Sequence, residues 1–401
     1  MRTTQIDSVM IVLTFTLNQF LMLYITELRH AKPMRFTALV DQRLKNQFTA
    51  YESLFDAVYY FEVQYTCHFF IESFSLLAEN IVEHELGFCR QLQLLNFGEG
   101  DLEATAKLRD KFHLSGLSFI QAQKFRNKIL MKETVENNGM LVPKGMYIDW
   151  NLSCETLFQQ CATKLNTPFV IKPVNLSGSL GVTFIHSYEQ FEAYYQNHIT
   201  TDYMAEEAIQ GDLLHLDLVV SDGTVKWFGC SRYNLPLIAF LQKHPIGSMP
   251  LREESDLYQR LRTYALNVVH SFQIEDSILH IEVFYKNDML YFLEVAARAG
   301  GGLVPLVYKK MFGFNLIQAY ICYQLGITYG SEITDGLSYF WLCLHNEDDV
   351  QDKLRRLDIH SLFFPKAEGI QIPGSIIGQF NRILGFHNDY EYLQKAFMSF
   401  F

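Results

Sequence analysis

The chain of 401 residues has no C-x-x-C pair, no internal repeat, no low-complexity tract and no long run of like charge. Without repeats or biased tracts, no disordered linker is indicated. No G-x-x-x-x-G-K-[ST] is present, which excludes a P-loop. No G-x-G-x-x-G follows the first apolar run, which disfavours a dinucleotide-dependent oxidoreductase. There is no G-x-S-x-G and no Cys/His nucleophile signature. Basic residues are in deficit, with 33 Lys and Arg against 44 Asp and Glu and a formal charge of −11. A nucleic-acid binder would need a basic footprint, so no nucleic-acid partner is expected. Cys67, Cys89, Cys154, Cys161, Cys230, Cys322 and Cys343 are odd in number and read as reduced thiols of a cytoplasmic protein. The most apolar run, Val9 to Ile25, is interrupted by Thr14, Thr16, Asn18 and Gln19, and no A-x-A cleavage pattern follows. It is short for a membrane span. A buried strand from Val9 to Phe15 leading into a helix is expected, with no membrane partner.

Length and a 49% hydrophobic composition are enough for two or three domains. Up to about residue 110, strand-like runs ("VMIVLTF", "RFTALV", "DAVYYF", "QLQLLNF") alternate with helical spacing, as over residues 71–86. There Ile71, Phe74, Leu77, Ile81 and Val82 make one stripe. Such alternation predicts a parallel sheet with helices on its faces. Residues 118–139 read as one long helix. "PFVIKPVNLSGSLGVTFIHS" reads as two strands around a Ser/Gly loop, and residues 202–233 as three strands. Residues 254–272 and 314–326 are helical in pattern. The stretch 231–254 shows little strand pattern. His68, His84 and His113 have no metal-ligand spacing.

The stretch "HIEVFYKNDMLYFLEVAARAGGG" (280–302) reads as a hairpin carrying two acids. With a three-residue turn, Asn287-Asp288-Met289, Glu282 falls opposite Glu294, His280 opposite Ala296 and Phe284 opposite Phe292. The other face then collects Ile281/Val295, Val283/Leu293 and Tyr285/Tyr291. A two-residue turn would send the acids to opposite faces. Two carboxylates about 4 Å apart repel by roughly 4 kcal/mol at an effective dielectric of 20. A cation between them, or protonation of one, would relieve this. Hard oxygen ligands suit Mg²⁺. Two solvated acids on an exposed sheet face account for the hairpin equally well.

"KPVNLSGSLGV" (172–182) shifts that balance. Lys172 ends a strand, and Ser177, Gly178, Ser179 and Gly181 form a turn whose backbone N–H groups can wrap phosphate oxygens. Lys128 is a second candidate phosphate cation, although a solvated helix lysine explains it too, with Lys111, Lys124 and Lys132 crowding the same segment.

In this order, Lys128, Lys172 with "SGSLGV", "EEAIQG" (206–211), "HIEVF" and "LEVAARAGGG" resemble the ATP-grasp superfamily, especially its carboxylate–amine ligases, whose relatives include biotin carboxylase. The motifs span about residues 115–305. The resemblance implies an α/β and α+β multidomain chain: an N-terminal Rossmann-like α/β domain (1–112), an ATP-grasp domain (113–305, with its small lobe near 125–200), and the rest of the large lobe (306–401). It implies ATP and Mg²⁺, with Mn²⁺ as an alternative ion. Lys128 and Lys172 would bind phosphates, and the loop Ser177, Gly178, Ser179, Gly181 and Val182 would close over them. Glu206, Glu207, Ala208 and Ile209 would form an edge strand meeting adenine. Glu282 and Glu294 would hold the metal, and Arg298 would stabilise developing charge. Two features depart from the pattern. Ala296 stands where relatives carry asparagine, and Gly211-Asp212-Leu213 replaces a G-x-E ribose contact. Asp212, His215 or Asp217 would have to serve, with His215 preferred over Asp212. Ser231, Arg232, Tyr233, Gly300 and Gly301 are candidate contacts for a small-molecule carboxylate and amine, Arg232 being equally explained as an exposed surface residue. The implied activity is ADP-forming ligation through an acylphosphate. A carboxylase-like reaction through carboxyphosphate, a kinase and a non-catalytic nucleotide-binding module are the alternatives. Superfamily relatives are often homodimers.

Overall fold

Strands rich in Val, Leu and Phe build the N-terminal sheet of the computed structural model, which describes residues 8–13, 25–29, 34–64, 71–197, 202–345, 348–366 and 380–399. β1 (Ser8–Leu13), β2 (Arg35–Asp41), β3 (Ala57–Phe61) and β4 (Leu92–Asn96) run parallel in the order β3-β2-β1-β4. Every residue of β1 is buried, as in a strand covered on both faces. The expected continuation of the apolar run past Leu13 into a helix lies mostly outside the described residues. Only Leu76–Leu86 of the stretch 71–86 is helical. Ser75 adopts extended backbone and starts that helix. Ile71 and Phe74 still reach the core ahead of it, whereas Leu77 is exposed. Among the described residues, no helix is long and apolar enough to cross a membrane.

The long helix expected over 118–139 is two, Phe119–Arg126 and Lys128–Glu136. Asn127 between them is extended, and its side chain accepts from the N–H groups of Ile129 and Leu130. Local capping has won over helix continuation here. The break makes Lys128 the first residue of the second helix.

A small antiparallel sheet follows. It contains β5 (Gly145–Tyr147), β6 (Phe169–Pro173), β7 (Thr183–Ile185) and β8 (Tyr203–Glu207) in the order β5-β8-β6-β7. β8 is therefore an interior strand, not the edge strand expected for Glu206 and Glu207. The large sheet has eight strands: β9 (Asp212–Ser221), β10 (Thr224–Tyr233), β11 (Ile246–Pro250), β12 (Ser277–Lys286), β13 (Met289–Ala296), β14 (Ser338–Leu344), β15 (His360–Phe364) and β16 (Asn381–His387). Its order is β13-β12-β9-β10-β11-β14-β16-β15, so the C-terminal strands extend the sheet that carries the acid hairpin. The stretch 231–254, with little strand pattern in sequence, nonetheless contains β11. Ser231–Tyr233 ends β10, paired with Ser248–Pro250 of β11.

The hairpin turn holds two residues, not three. Asn287 and Asp288 have φ of 48° and 66°, and Lys286 pairs with Met289. Both residues tolerate the left-handed region, and such turns match strand twist. Tyr285 consequently faces Leu290, Phe284 faces Tyr291 and Val283 faces Phe292, which corrects the three pairings expected there. This register alone would set Glu282 against Leu293. A β-bulge next to Val283 absorbs Leu293 as an extra residue and returns Glu282 opposite Glu294, with His280 opposite Ala296.

Candidate functional site

The small and large sheets face each other across a cleft of about 190 Å³. From the small-sheet side, Lys128, Lys172, Ser177, Gly178, Ser179 and Val182 line it. Glu206, Glu207, Ala208 and Ile209 lie along its rim, and Tyr233, Glu282, Glu294, Arg298 and Gly301 line the large-sheet side. Gly181 has φ of +69°, and a Cβ there would sit 2.7 Å from Pro173, so the loop's backbone path depends on glycine. The motifs dispersed over 128–301 are thereby brought to one cavity.

Glu282 is buried. Its Oε1 accepts from the Tyr233 hydroxyl at 3.3 Å, and His280 Nε2 lies 3.4 Å from the same oxygen. Both contacts fall on Oε1, which leaves Oε2 for a cation. Glu294 is half-exposed and lies 3.6 Å from Lys128 Nζ. Lys128 also donates from Nζ to the Leu176 carbonyl and from its backbone N–H to Val174, tying the helix to the Ser/Gly loop. Two opposed carboxylates, one with an uncommitted oxygen, are a hard-ligand set that fits Mg²⁺. Ala296 offers no ligand, so water and nucleotide oxygens would complete the shell.

Lys172 Nζ pairs with Glu206 Oε1 at 3.0 Å, and Lys132 Nζ lies 2.8 Å from Glu206 Oε2. Glu206 is thus paired with two lysines inside the cleft wall. Burial opposes its ionisation, but Lys132 and Lys172 win and hold its pKa below the ordinary value. Burial, with Lys172 nearby and Glu206 opposing, pulls Lys132 down to about 8. Lys132, named from sequence only among the lysines that crowd Lys128, is buried. Its position four residues after Lys128, on the face shared by Met131 and Val135, is the signal that marks it.

Arg298 presents Nε and Nη2 to Glu99 Oε2, each at 2.9 Å. Arg126 pairs with the other oxygen of Glu99 and also donates to the Asn175 carbonyl. Burial works against the Glu99 carboxylate, but Arg298, Arg126 and Lys128 together hold it down at about 2. Glu99 and Arg126 have no counterpart in the motifs read from sequence. A group depressed from 4.5 to about 2 contributes stability above pH 4.5, and that contribution is lost as pH falls toward 2. The melting temperature is expected to drop across that window. Glu99→Gln should melt lower at pH 7 and show a flatter acid limb, both measurable by calorimetry.

Several expected contacts are elsewhere. His215 is fully buried, with Nδ1 2.6 Å from Asp217 and Nε2 2.7 Å from Ser248, so it cannot meet a ribose. Asp217 is equally enclosed. Asp212 and Arg232 form a partly exposed ion pair at 3.1 Å, and neither is among the cleft-lining residues. Ser231 is buried against the Tyr308 hydroxyl at 2.9 Å. Gly300 is packed inward: a Cβ there would lie 2.8 Å from His280 and 2.9 Å from Asp217. Of the five substrate candidates, Tyr233 and Gly301 are the two on the cleft wall. Alternation along β10 turns Arg232 to the face opposite Tyr233, whereas Ser231 shares the face of Tyr233 but is buried against Tyr308.

Residues 125–302 match the sequence model of the ATP-grasp domain. Over 218 residues the chain is 27% identical to an L-arginine-specific L-amino acid ligase of Bacillus subtilis, covering 52% of each chain. It spans about half the length of the curated relatives it matches first. The crystal structure of an L-amino acid ligase from Bacillus licheniformis superposes with a TM-score of 0.73 at 18% identity, covering 99% of this chain and 98% of that one. An ADP complex of an N5-carboxyaminoimidazole ribonucleotide synthetase gives 0.70 at 13% identity, covering 99% and 98%. The order of the lysines, the Ser/Gly loop and the opposed acids, the cleft they form, and these matches lead to one assignment: residues 125–302 of the chain are an ATP-grasp domain.

Proposed function

We propose that the chain is an ATP- and Mg²⁺-dependent ligase that joins a carboxylate to an amine, with amino acids as the leading substrate class. The observation that carries this reading is the pairing of Glu282 with Glu294 at the wall of the cleft that also holds Lys128, Lys172 and the Ser/Gly loop. Similarity to the L-arginine-specific L-amino acid ligase supports the substrate class. Glu282 and Glu294 would hold Mg²⁺, which supplies charge neutralisation for the triphosphate. Lys128 and Lys172 receive phosphate oxygens, and backbone N–H groups of 177–182 close over them. The backbone of Glu207, Ala208 and Ile209 is left to meet adenine.

The reaction has two steps. A substrate carboxylate oxygen attacks the γ-phosphorus, the bond to ADP breaks, and an acylphosphate forms. The amine then attacks the acyl carbon and phosphate leaves. Arg298, fixed by Glu99, stabilises the charge that develops on the transferred oxygens. No protein nucleophile is needed, because positioning and charge supply the rate. A reducing, cytoplasmic setting belongs to the proposal as well. A homodimer is part of the same proposal.

A screen of ADP release with Mg²⁺ and ATP against pairs of amino acids tests the reading. Release that needs two co-substrates supports it. ADP release that needs bicarbonate instead assigns a carboxylase-type reaction, and a stable phosphorylated product without an amine assigns a kinase.

A further inference from the structure

Beneath Glu282 lies a buried polar chain that the proposed chemistry does not use. On neighbouring strands, Glu282 is paired with His215 and His280 with Asp217. Asp217 is fully buried and has three donors within reach: His215 Nδ1 at 2.6 Å, His280 Nδ1 at 2.8 Å and the Tyr308 hydroxyl at 2.9 Å. His215 continues to Ser248 at 2.7 Å, and Ser248 accepts from Trp341 Nε1 at 2.9 Å. The far nitrogen of His280 is the one 3.4 Å from Glu282 Oε1, and His280 itself lines the cleft.

Two imidazoles and a carboxylate can also be a metal site, but this set is too tight. Atoms bound at roughly 2 Å around one tetrahedral ion sit about 3.3 Å apart. The 2.6 and 2.8 Å contacts are instead hydrogen-bond lengths. An ionised carboxylate only accepts, so the His280 ring donates at Nδ1 to Asp217, which turns Nε2 toward Glu282. Gly300 leaves the space: any Cβ there would collide with both His280 and Asp217.

We propose that Asp217 is a positioning residue for the cation site, acting through His280 to fix the Glu282 carboxylate so that Oε2 faces the ion. The inference rests on the reading of Glu282 as a metal ligand. Partners that orient a ligand typically change metal affinity 10–100-fold when removed.

The test uses the full chain with ADP and Mn²⁺, and free Mn²⁺ is read by electron paramagnetic resonance. ADP binding in EDTA and thermal melting report on the fold. Glu282→Gln weakens Mn²⁺ binding in any version of the account. Asp217→Asn is expected to weaken it about tenfold. His280→Asn keeps a donor where Nδ1 was, toward Asp217, but cannot reach Glu282, and is expected to lose about as much. His280→Gln keeps a donor where Nε2 was and is expected to lose less. A purely packing role predicts equal effects for the two His280 variants. Mn²⁺ affinity within twofold of the parent in Asp217→Asn and His280→Asn, with Glu282→Gln weakened, overturns the inference. If Asp217→Asn does not fold, equal affinities in the two His280 variants do so. Parent-like affinity in Glu282→Gln removes instead the metal reading beneath it.

Discussion

Glu282→Gln should lower turnover about 1,000-fold at saturating nucleotide, with little change in thermal stability. The substitution is isosteric and keeps an oxygen for the Tyr233 hydroxyl to bond, so the local packing survives. What it removes is a buried negative charge beside the triphosphate. Lewis-acid stabilisation by a bound ion is worth several kcal/mol, and about 4 kcal/mol is a factor of about 1,000. Glu294→Gln should cost less, about tenfold, because Glu294 is half-exposed and water can take its place on Mg²⁺. Steady-state ADP release over a Mg²⁺ titration measures both. If Glu294→Gln proves the more damaging variant, Glu282 is not the principal ligand.

The second large effect is on stability. Glu206→Leu should destabilise the fold by about 3–5 kcal/mol, because it leaves Lys132 and Lys172 buried beside each other without an anion. Lys132 already sits near 8 with Glu206 in place, so without it the ammonium would fall further and lose its proton at neutral pH. Replacing Lys132 as well removes one of the two stranded cations and leaves Lys172. Glu206→Leu with Lys132→Met is therefore expected to recover about half of the loss, since apolar pairs often match buried ion pairs. Urea unfolding at pH 7 reads all three proteins. A double variant no more stable than Glu206→Leu would show that Lys132 is not the stranded group.

What was legible in the sequence is what strand alternation and local turn chemistry dictate. Glu282 stands opposite Glu294 as expected, but for a different reason: with the two-residue turn period-two geometry alone would separate them, and the bulge at Leu293 restores the pairing. The Ser/Gly loop and Lys172 announce themselves by composition. Lys132 went unassigned because helix charge alone does not say which face is buried. The clamp on Arg298 could not be read at all: Glu99 is 199 residues away and belongs to the turn after β4. His215 and Asp217 were ribose candidates because they fall on the face of position 213, where relatives carry the acid, and pairing of β9 with β12 makes this the face of Glu282. They do share it, but Tyr233, His280 and Glu282 cover them. Alternation specifies a face but not the depth beneath it.

Transfer of a carboxylate oxygen to phosphate tests the central claim most directly. With an amino-acid pair that supports ADP release, the donor acid is labelled with ¹⁸O in its carboxylate and the released phosphate is examined by mass spectrometry. An acylphosphate requires one labelled oxygen to leave with each phosphate, in step with amide formation. Unlabelled phosphate accompanying the amide would contradict activation of the carboxylate at this cleft.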